Sequence, residues 1–292
     1  MGSVETLRYW PKQVSCPEDV PGSFAEELHG EDLSSLRVLY APQAASPFGP
    51  QKEHLLLFRG NELTVHTASR RERSTFVTRL GEVHRLEWGR VLLRSWLAIF
   101  AGTSKAMVTF NTVREDLFVP VAAAIRGGSF GDDADEAGSD LTTERAKLDY
   151  LASSGYKFMN YGRRSLMRDE RILSTLYQET FPLHTIRFGG FRLLTQFATP
   201  CLLLLTDREL ILIREEQEFT WSRRQNYGCV QTFIPVPLLE ESQFGECDSG
   251  LELAVRTSAG GEVRARMARD NSQLPAFTAS LQGVIRKNRS AR

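Results

Sequence analysis

One pattern of residues occurs twice in this chain: an apolar strand, a two-residue polar turn and a second apolar strand. The two copies run from Leu55 to Val65 and from Leu202 to Leu212. Each copy predicts a β-hairpin, because alternating apolar runs on either side of a short turn are typical of one. Further markers keep the same order in both halves: Tyr40 with Tyr177, Phe76 with Phe233, Gly89 with Gly245, and Ile125-Arg126 with Ile285-Arg286. A repeat of this length predicts two similar domains, because solenoid repeats are only about 20–50 residues long.

The chain is long enough for two domains with separate cores. Between them, a stretch rich in glycine, serine and acids holds one large apolar residue, Phe130, which predicts a flexible acidic linker. The proline-containing N-terminus predicts an arm laid over the first domain or partly disordered. The Ser23/Glu26 capping-box spacing predicts helical turns that begin at Phe24. The predicted segments are an arm at 1–27, domain 1 at 28–127, the linker at 128–140, a connecting helix at 141–165 and domain 2 at 166–292.

Alternating apolar residues predict about seven antiparallel strands in each domain. The strands that follow the hairpins are expected at 75–79, 82–88, 91–100 and 106–110, and at 230–235, 238–245, 251–256 and 262–267. A helix ends each domain, the first beginning near Asp116 and the second carrying a one-sided apolar stripe of Leu274, Phe277, Leu281, Val284 and Ile285. The predicted fold is mainly β with a minor α component: two bent sheets or partly open barrels, each closed by its C-terminal helix.

The order of about seven antiparallel strands followed by a C-terminal helix resembles the pleckstrin-homology-like (PH-like) superfold. Members of its bacterial branch have sequence patterns similar to those at Leu203–Ile213, Tyr227-Gly228 and Phe233–Pro235. The same holds in domain 1 for Leu86–Gly89, Leu92-Leu93 and Trp96-Leu97. The resemblance covers roughly residues 30–126 and 166–288 and implies two PH-like domains in tandem. It also implies a protein, peptide or membrane-surface ligand that docks against exposed strand edges or hairpin tips.

The charge of the chain argues against a dedicated nucleic-acid-binding protein. Lys and Arg number 36 and Asp and Glu number 36, whereas nucleic-acid binding depends on a basic surplus. The first residues show no secretory signal, and the longest apolar run of domain 1, from Val91 to Ala101, is interrupted by Arg94 and Ser95. We therefore expect a cytoplasmic protein that can also lie at a membrane periphery.

The most suggestive candidate site is the insertion between the first two strands of domain 2, Phe181–Thr199. There, Arg187, Phe188, Phe191 and Arg192 surround Gly189-Gly190. Such a loop can dip aromatic side chains into a membrane surface while its arginines meet lipid phosphates. It can equally pack over its own barrel or against domain 1. The corresponding loop of domain 1, Pro42–Gln51, carries no basic residue, which argues against lipid headgroup binding there.

Each domain has one basic cluster, which follows its third strand. The clusters are Arg70, Arg71 and Arg73 in domain 1, and Arg223 and Arg224 in domain 2. Paired basic hairpin tips suit acidic peptides or phosphates. Solvated hairpin ends explain the same residues without any ligand.

The search for catalytic and metal motifs is mostly negative. A partial calcium-loop pattern, from Asp133 to Glu144, has Ala137 at a ligand position, and an acidic linker explains it better. The four cysteines lack metal-ligand spacing, and His54 and His66 can face each other across the first hairpin. We expect no enzymatic activity, no cofactor and no metal.

The leading hypothesis is a non-catalytic binding or scaffolding protein with a protein or peptide partner. Two alternatives stay open. One is an enzyme, or the regulatory subunit of one, with a site between the domains; the other is a homo-oligomeric scaffold.

Overall fold

The computed structural model of this 292-residue protein describes residues 10–43, 52–127, 139–188, 191–217, 219–220, 228–247 and 250–290. The chain divides into two compact units, Met1–Ala134 and Asp135–Arg292. Antiparallel strands predominate in both, so the protein is mainly β, as predicted. The strands of the described residues form open sheets rather than a closed barrel.

Unit 1 begins with a five-stranded antiparallel sheet whose strands pair in chain order. These strands are β1 (Lys12–Val14), β2 (Arg37–Ala41), β3 (Glu53–Arg59), β4 (Glu62–Ala68) and β5 (Arg73–Arg79). The β3–β4 hairpin is the first predicted one, and its turn places Gly60 at φ +57°. Glycine suits this position because it adopts positive φ without a steric penalty.

The second part of unit 1 is a three-stranded meander followed by helix. It comprises β6 (Val83–Val91), β7 (Arg94–Ala101), β8 (Ser104–Asn111), a 3₁₀ segment at Thr112–Leu117 and α1 (Val119–Gly127). The predicted strand at 91–100 was wrong at its start, because Leu92 and Leu93 form the β6–β7 turn. The 3₁₀ helix Leu80–Glu82 links β5 to β6.

The described part of the N-terminal arm packs onto the first sheet. Val14 and Phe24 of the arm, with Leu28 and Leu33 just after it, share a buried cluster with the strand residues Val38, Leu55, Leu57 and Ala68. The capping-box prediction was wrong, because the Ser23 hydroxyl donates to the Glu53 carboxylate at 2.8 Å instead of capping a helix. The Tyr40 hydroxyl donates to the same carboxylate oxygen at 2.8 Å, so this carboxylate ties the arm to the sheet.

Unit 2 begins with helices rather than the single predicted connecting helix. They are α2 (Ser139–Ala146), a 3₁₀ turn at Asp149–Ala152 and α3 (Tyr156–Ser165). The break coincides with Gly155, which is the non-helical N-cap of α3 and lies against Tyr177: a side-chain carbon added at Gly155 would come within 2.8 Å of the tyrosine ring.

Three sheets follow in unit 2. The first is formed by β9 (Ile172–Gln178), β12 (Cys201–Thr206), β13 (Glu209–Arg214) and β15 (Cys229–Pro235). A second contains β10 (Phe181–Phe188), β11 (Phe191–Ala198) and β14 (Phe219–Thr220), and a third contains β16 (Leu239–Cys247), β17 (Gly250–Thr257) and β18 (Glu262–Met267). The insertion predicted as a loop is therefore largely a β-hairpin of β10 and β11.

The last helix, α4 (Leu274–Ser290), buries its apolar stripe in the core of unit 2. Leu274, Phe277, Leu281 and Ile285 belong to a cluster with strand residues that include Leu203, Leu205, Ile234, Leu253 and Met267. The one-sided stripe in the sequence was thus a sound indicator of burial.

Both units place their elements in the same order. Four antiparallel strands, a 3₁₀ turn, three antiparallel strands and a helix occur in each, if β1 of unit 1 and the initial helices, β10–β11 and β14 of unit 2 are set aside. Hairpin register places Tyr40 opposite Leu55 and Tyr177 opposite Leu202, so these two markers are equivalent. Gly89 and Gly245 are each the seventh residue of their strand, β6 and β16.

The Phe76 and Phe233 markers are one residue out of register. Phe76 lies opposite Val65, whereas the residue opposite Leu212, the equivalent of Val65, is Thr232. Phe233 itself lies opposite Ile211. A single shared aromatic was therefore a less reliable marker than the hairpin pattern.

Candidate binding groove

An open apolar groove of about 360 Å³ lies in unit 2 between α4 and the β16–β17 hairpin. Its lining is mostly carbon-rich: Phe244, Leu251, Leu274, Pro275, Thr278, Ala279 and Gln282. None of these residues stood among the predicted site residues. The groove is at the lower end of the volumes typical of ligand sites.

The register of β16 explains why an apolar wall forms there. Ser242 lies opposite Val255, and Phe244 lies opposite Leu253. Val255 and Leu253 are buried, and cross-strand pairs share a face of the sheet, so Ser242 and Phe244 lie on the core face. The alternate residues Glu241 and Gln243 belong to the other face, where Glu241 forms an ion pair with Arg256 at 3.3 Å.

The end of α4 is fastened to the start of β16. The Asn288 side-chain amide donates to the Val236 carbonyl oxygen at 2.6 Å, and the Arg289 guanidinium donates to the Glu240 carbonyl oxygen at 2.8 Å. The groove residues lie on the earlier part of the helix, from Leu274 to Gln282. The helix therefore covers the beginning of β16 and leaves its later half beside the groove.

β16 is one of the two terminal strands of its three-stranded sheet. Within the described chain, the backbone of residues 242–247 is hydrogen-bonded to β17 alone, with no side chain bound to it. Alternate peptide groups of such an edge strand point away from the sheet and can pair with another extended chain.

β9, a terminal strand of the first sheet of unit 2, differs from β16. At one end, Glu144 accepts from the Ile172 amide at 2.6 Å and Lys147 donates to its carbonyl oxygen at 3.1 Å. At the other end, Gln273 accepts from the Tyr177 amide at 2.7 Å and Asn271 donates to its carbonyl oxygen at 2.8 Å. Side chains thus bind the backbone at both ends of β9, so β16 is a better template for strand addition than β9.

The groove itself is nearly neutral. Glu246, beyond Phe244, is exposed and lies 3.6 Å from the Arg269 guanidinium. The Ser242 hydroxyl oxygen is buried and has no hydrogen-bond partner among the described residues. The arrangement can take apolar side chains into the groove and hydrogen-bond a backbone along β16.

The predicted basic tip of unit 1 is the β4–β5 turn. Arg70 and Arg71 are exposed there, and the Ser69 hydroxyl accepts from the Arg71 and Glu72 amides at 3.3 and 3.1 Å. Arg73 donates to the Glu27 carboxylate at 3.1 Å. Arg73 therefore holds the N-terminal arm.

The other predicted site residues are less completely described. Arg223 and Arg224 lie outside the described residues. Arg187, Phe188, Phe191 and Arg192 lie in β10 and β11, where the register places Arg187 opposite Arg192 and Phe188 opposite Phe191; their side chains lie outside the described part of the chain. The membrane interpretation of this hairpin stays a prediction.

The histidine prediction was wrong in its geometry. His54 lies opposite Thr67, and His66 lies opposite Leu55, so the two rings lie on opposite faces of the hairpin. His54 is buried between the Thr67 and Thr109 hydroxyls, at 3.0 and 3.3 Å. Burial, with a smaller contribution from Lys52, lowers the pKa of His54 to about 4.

The reactive groups of the described chain are scattered. The described residues contain no cluster of three His, Cys, Asp or Glu side chains that could hold a metal ion. Cys16, Cys201, Cys229 and Cys247 are free thiols, and burial raises the pKa of Cys201 to about 12, so this thiol is not activated.

Comparison with known proteins adds no family assignment. No protein-family model matches the chain, and no curated protein matches it. In the ranges that the structure describes, no helix combines the length and apolar character needed to cross a bilayer.

Proposed function

We propose that the protein is a non-catalytic binding protein built from two PH-like domains in tandem. The shared order of four strands, a 3₁₀ turn, three strands and a helix supports the repeat. The burial of the α4 stripe against strands of unit 2 supports a helix that closes its domain. Such a plan provides a rigid frame on which a ligand can dock at a strand edge.

The ligand that this frame fits best is an extended segment of a partner protein. The observation that carries the proposal is the side-by-side placement of the later half of β16 and the apolar groove under α4. A segment that pairs with β16 satisfies exposed peptide groups, and its alternate side chains fall toward Phe244, Leu251 and Ala279. Main-chain pairing supplies affinity, and the groove selects the apolar side chains.

A displayed library of random peptides tests this proposal with the full chain. Selected peptides should be extended and apolar at alternate positions, and fluorescence anisotropy gives their dissociation constants. Ala279→Arg places a charge in the groove and should weaken binding at least tenfold, because a side chain of that size excludes the ligand. Ala276→Arg is the matched control: Ala276 is exposed on the same helix and does not line the groove.

Two outcomes of the peptide experiment would reject the proposal. One is a library that yields no binding peptide. The other is a set of peptides that bind the parent and Ala279→Arg equally well. If the parent self-associates in analytical ultracentrifugation and Ala279→Arg alone becomes monomeric, the occupant is a second copy of the chain, and a peptide partner is excluded.

A further inference from the structure

The β6–β7 turn of unit 1 exposes two neighbouring leucines. Val91 lies opposite Arg94, so Leu92 and Leu93 form the whole two-residue turn. Leu92 is 70% exposed and Leu93 is 68% exposed, the highest fractions among the exposed large apolar residues of the described chain. Turns of this kind normally carry Gly, Asn or Asp, so a pair of leucines needs a separate explanation.

The backbone makes this choice of residue more unusual. Leu92 has φ +52°, in the left-handed region that non-glycine residues disfavour. The two other tight hairpin turns of unit 1 have glycine at the same position, Gly60 at φ +57° and Gly102 at φ +55°. The chain therefore keeps a strained, water-exposed leucine where the two other tight hairpin turns of unit 1 use glycine, as expected of a functional position.

The turn is held firmly against the segment that follows β8. The Thr112 amide donates to the Leu93 carbonyl oxygen at 2.9 Å, and the Ser95 and Thr112 hydroxyl oxygens are 2.9 Å apart. The next residue, Val113, is 48% exposed. Leu92, Leu93 and Val113 are called the leucine tip below.

Basic and aromatic side chains follow directly behind the leucine tip. The Arg94 guanidinium carbon lies 5.6 Å from the Trp96 ring centre. Trp96 is partly exposed and lies across Gly89, where an added side-chain carbon would come within 1.9 Å of the indole. The two acids near the turn are engaged, since Glu115 pairs with Arg90 and Asp116 pairs with Arg114 at 3.1 Å.

We propose that the leucine tip is a docking element for the surface of an anionic lipid bilayer. The order of the side chains is the reason to propose a bilayer rather than a protein pocket. The apolar residues are outermost, an arginine comes next and a tryptophan follows, which matches the succession of acyl chains, phosphates and headgroup interface. The residues of the leucine tip belong to unit 1, whereas those of the groove belong to unit 2.

Co-sedimentation of the full chain with vesicles tests the proposal. Vesicles of phosphatidylcholine with phosphatidylserine should retain the protein, and vesicles of phosphatidylcholine alone should retain less. The double variant Leu92→Gly/Leu93→Asn copies the Gly60-Asn61 turn, so it removes both leucines of the tip and relieves the positive-φ strain. It should lose about tenfold in partitioning for each leucine and unfold at the same or a higher temperature than the parent.

Two further variants separate the tip from general surface effects. Val77→Thr removes an apolar residue of β5 that is 56% exposed and lies outside the tip, and it should sediment like the parent. Arg94→Gln should abolish the preference for phosphatidylserine. The proposal is overturned if the parent stays in the supernatant with both kinds of vesicle, or if the double variant sediments like the parent. Binding of the tip to a protein pocket would give the first of these outcomes.

Discussion

The buried His54 makes unit 1 sensitive to acid in a way that can be calculated. In the unfolded chain, this imidazole has a pKa near its usual 6.5, whereas burial lowers the pKa to about 4 in the folded protein. Between these values, the unfolded chain binds a proton that the native protein excludes. Above pH 6.5, the free energy of unfolding is therefore not reduced by this group. It decreases as the pH falls toward 4. The loss is about 2 kcal/mol by pH 5 and about 3 kcal/mol in full.

The assay is urea unfolding followed by tryptophan fluorescence at pH 7.5 and pH 5, because Trp10, Trp88 and Trp96 all lie in unit 1. His54→Gln removes the titration and keeps a polar group beside Thr67 and Thr109. Other groups, such as His66 and His84, whose pKa values burial also lowers, affect parent and variant alike. The parent should lose about 2 kcal/mol more than the variant between the two pH values. Equal losses would refute the account of this site.

Two packing predictions accompany the groove and vesicle experiments. Gly89→Ala should destabilise unit 1 by about 1–3 kcal/mol and shift the Trp96 emission, because the new methyl group displaces the indole. Gly245→Ala, at the same position of β16, meets nothing within 4 Å and should change the unfolding free energy by less than about 0.5 kcal/mol. Phe277→Ala should destabilise unit 2 by about 3–5 kcal/mol in urea unfolding, since this ring is fully buried; a loss below about 1 kcal/mol would contradict the packing of α4.

Much of the fold was predictable because local rules and burial agree there. The strands around Gly60-Asn61, the β16–β18 strands and the α4 stripe all have the period that their environment requires. The β10–β11 hairpin was missed because Pro182 and Gly189-Gly190 outweighed the alternating pattern between them. β1 was missed because a three-residue strand leaves almost no period to detect.

The groove could not be predicted from the sequence. Phe244, Leu251 and Ala279 are ordinary residues of their own elements, and only the packing of α4 beside β16 brings them together. The strained backbone of Leu92 could not be predicted for a related reason. A Leu-Leu pair indicates a strand, and the positive φ appears only when strand pairing fixes the turn. Local patterns predict elements, whereas a site between elements depends on tertiary packing.

Amide hydrogen exchange of the full chain with a library-selected peptide is the most direct test of the central claim, that β16 receives a partner strand. If β16 receives the strand, exchange in the peptide complex should be slower for amides within residues 242–247 and unchanged for residues 172–178 of β9, both ends of which are bound by side chains. Peptide-induced protection confined to β9 or to unit 1, with β16 unaffected, would contradict the claim.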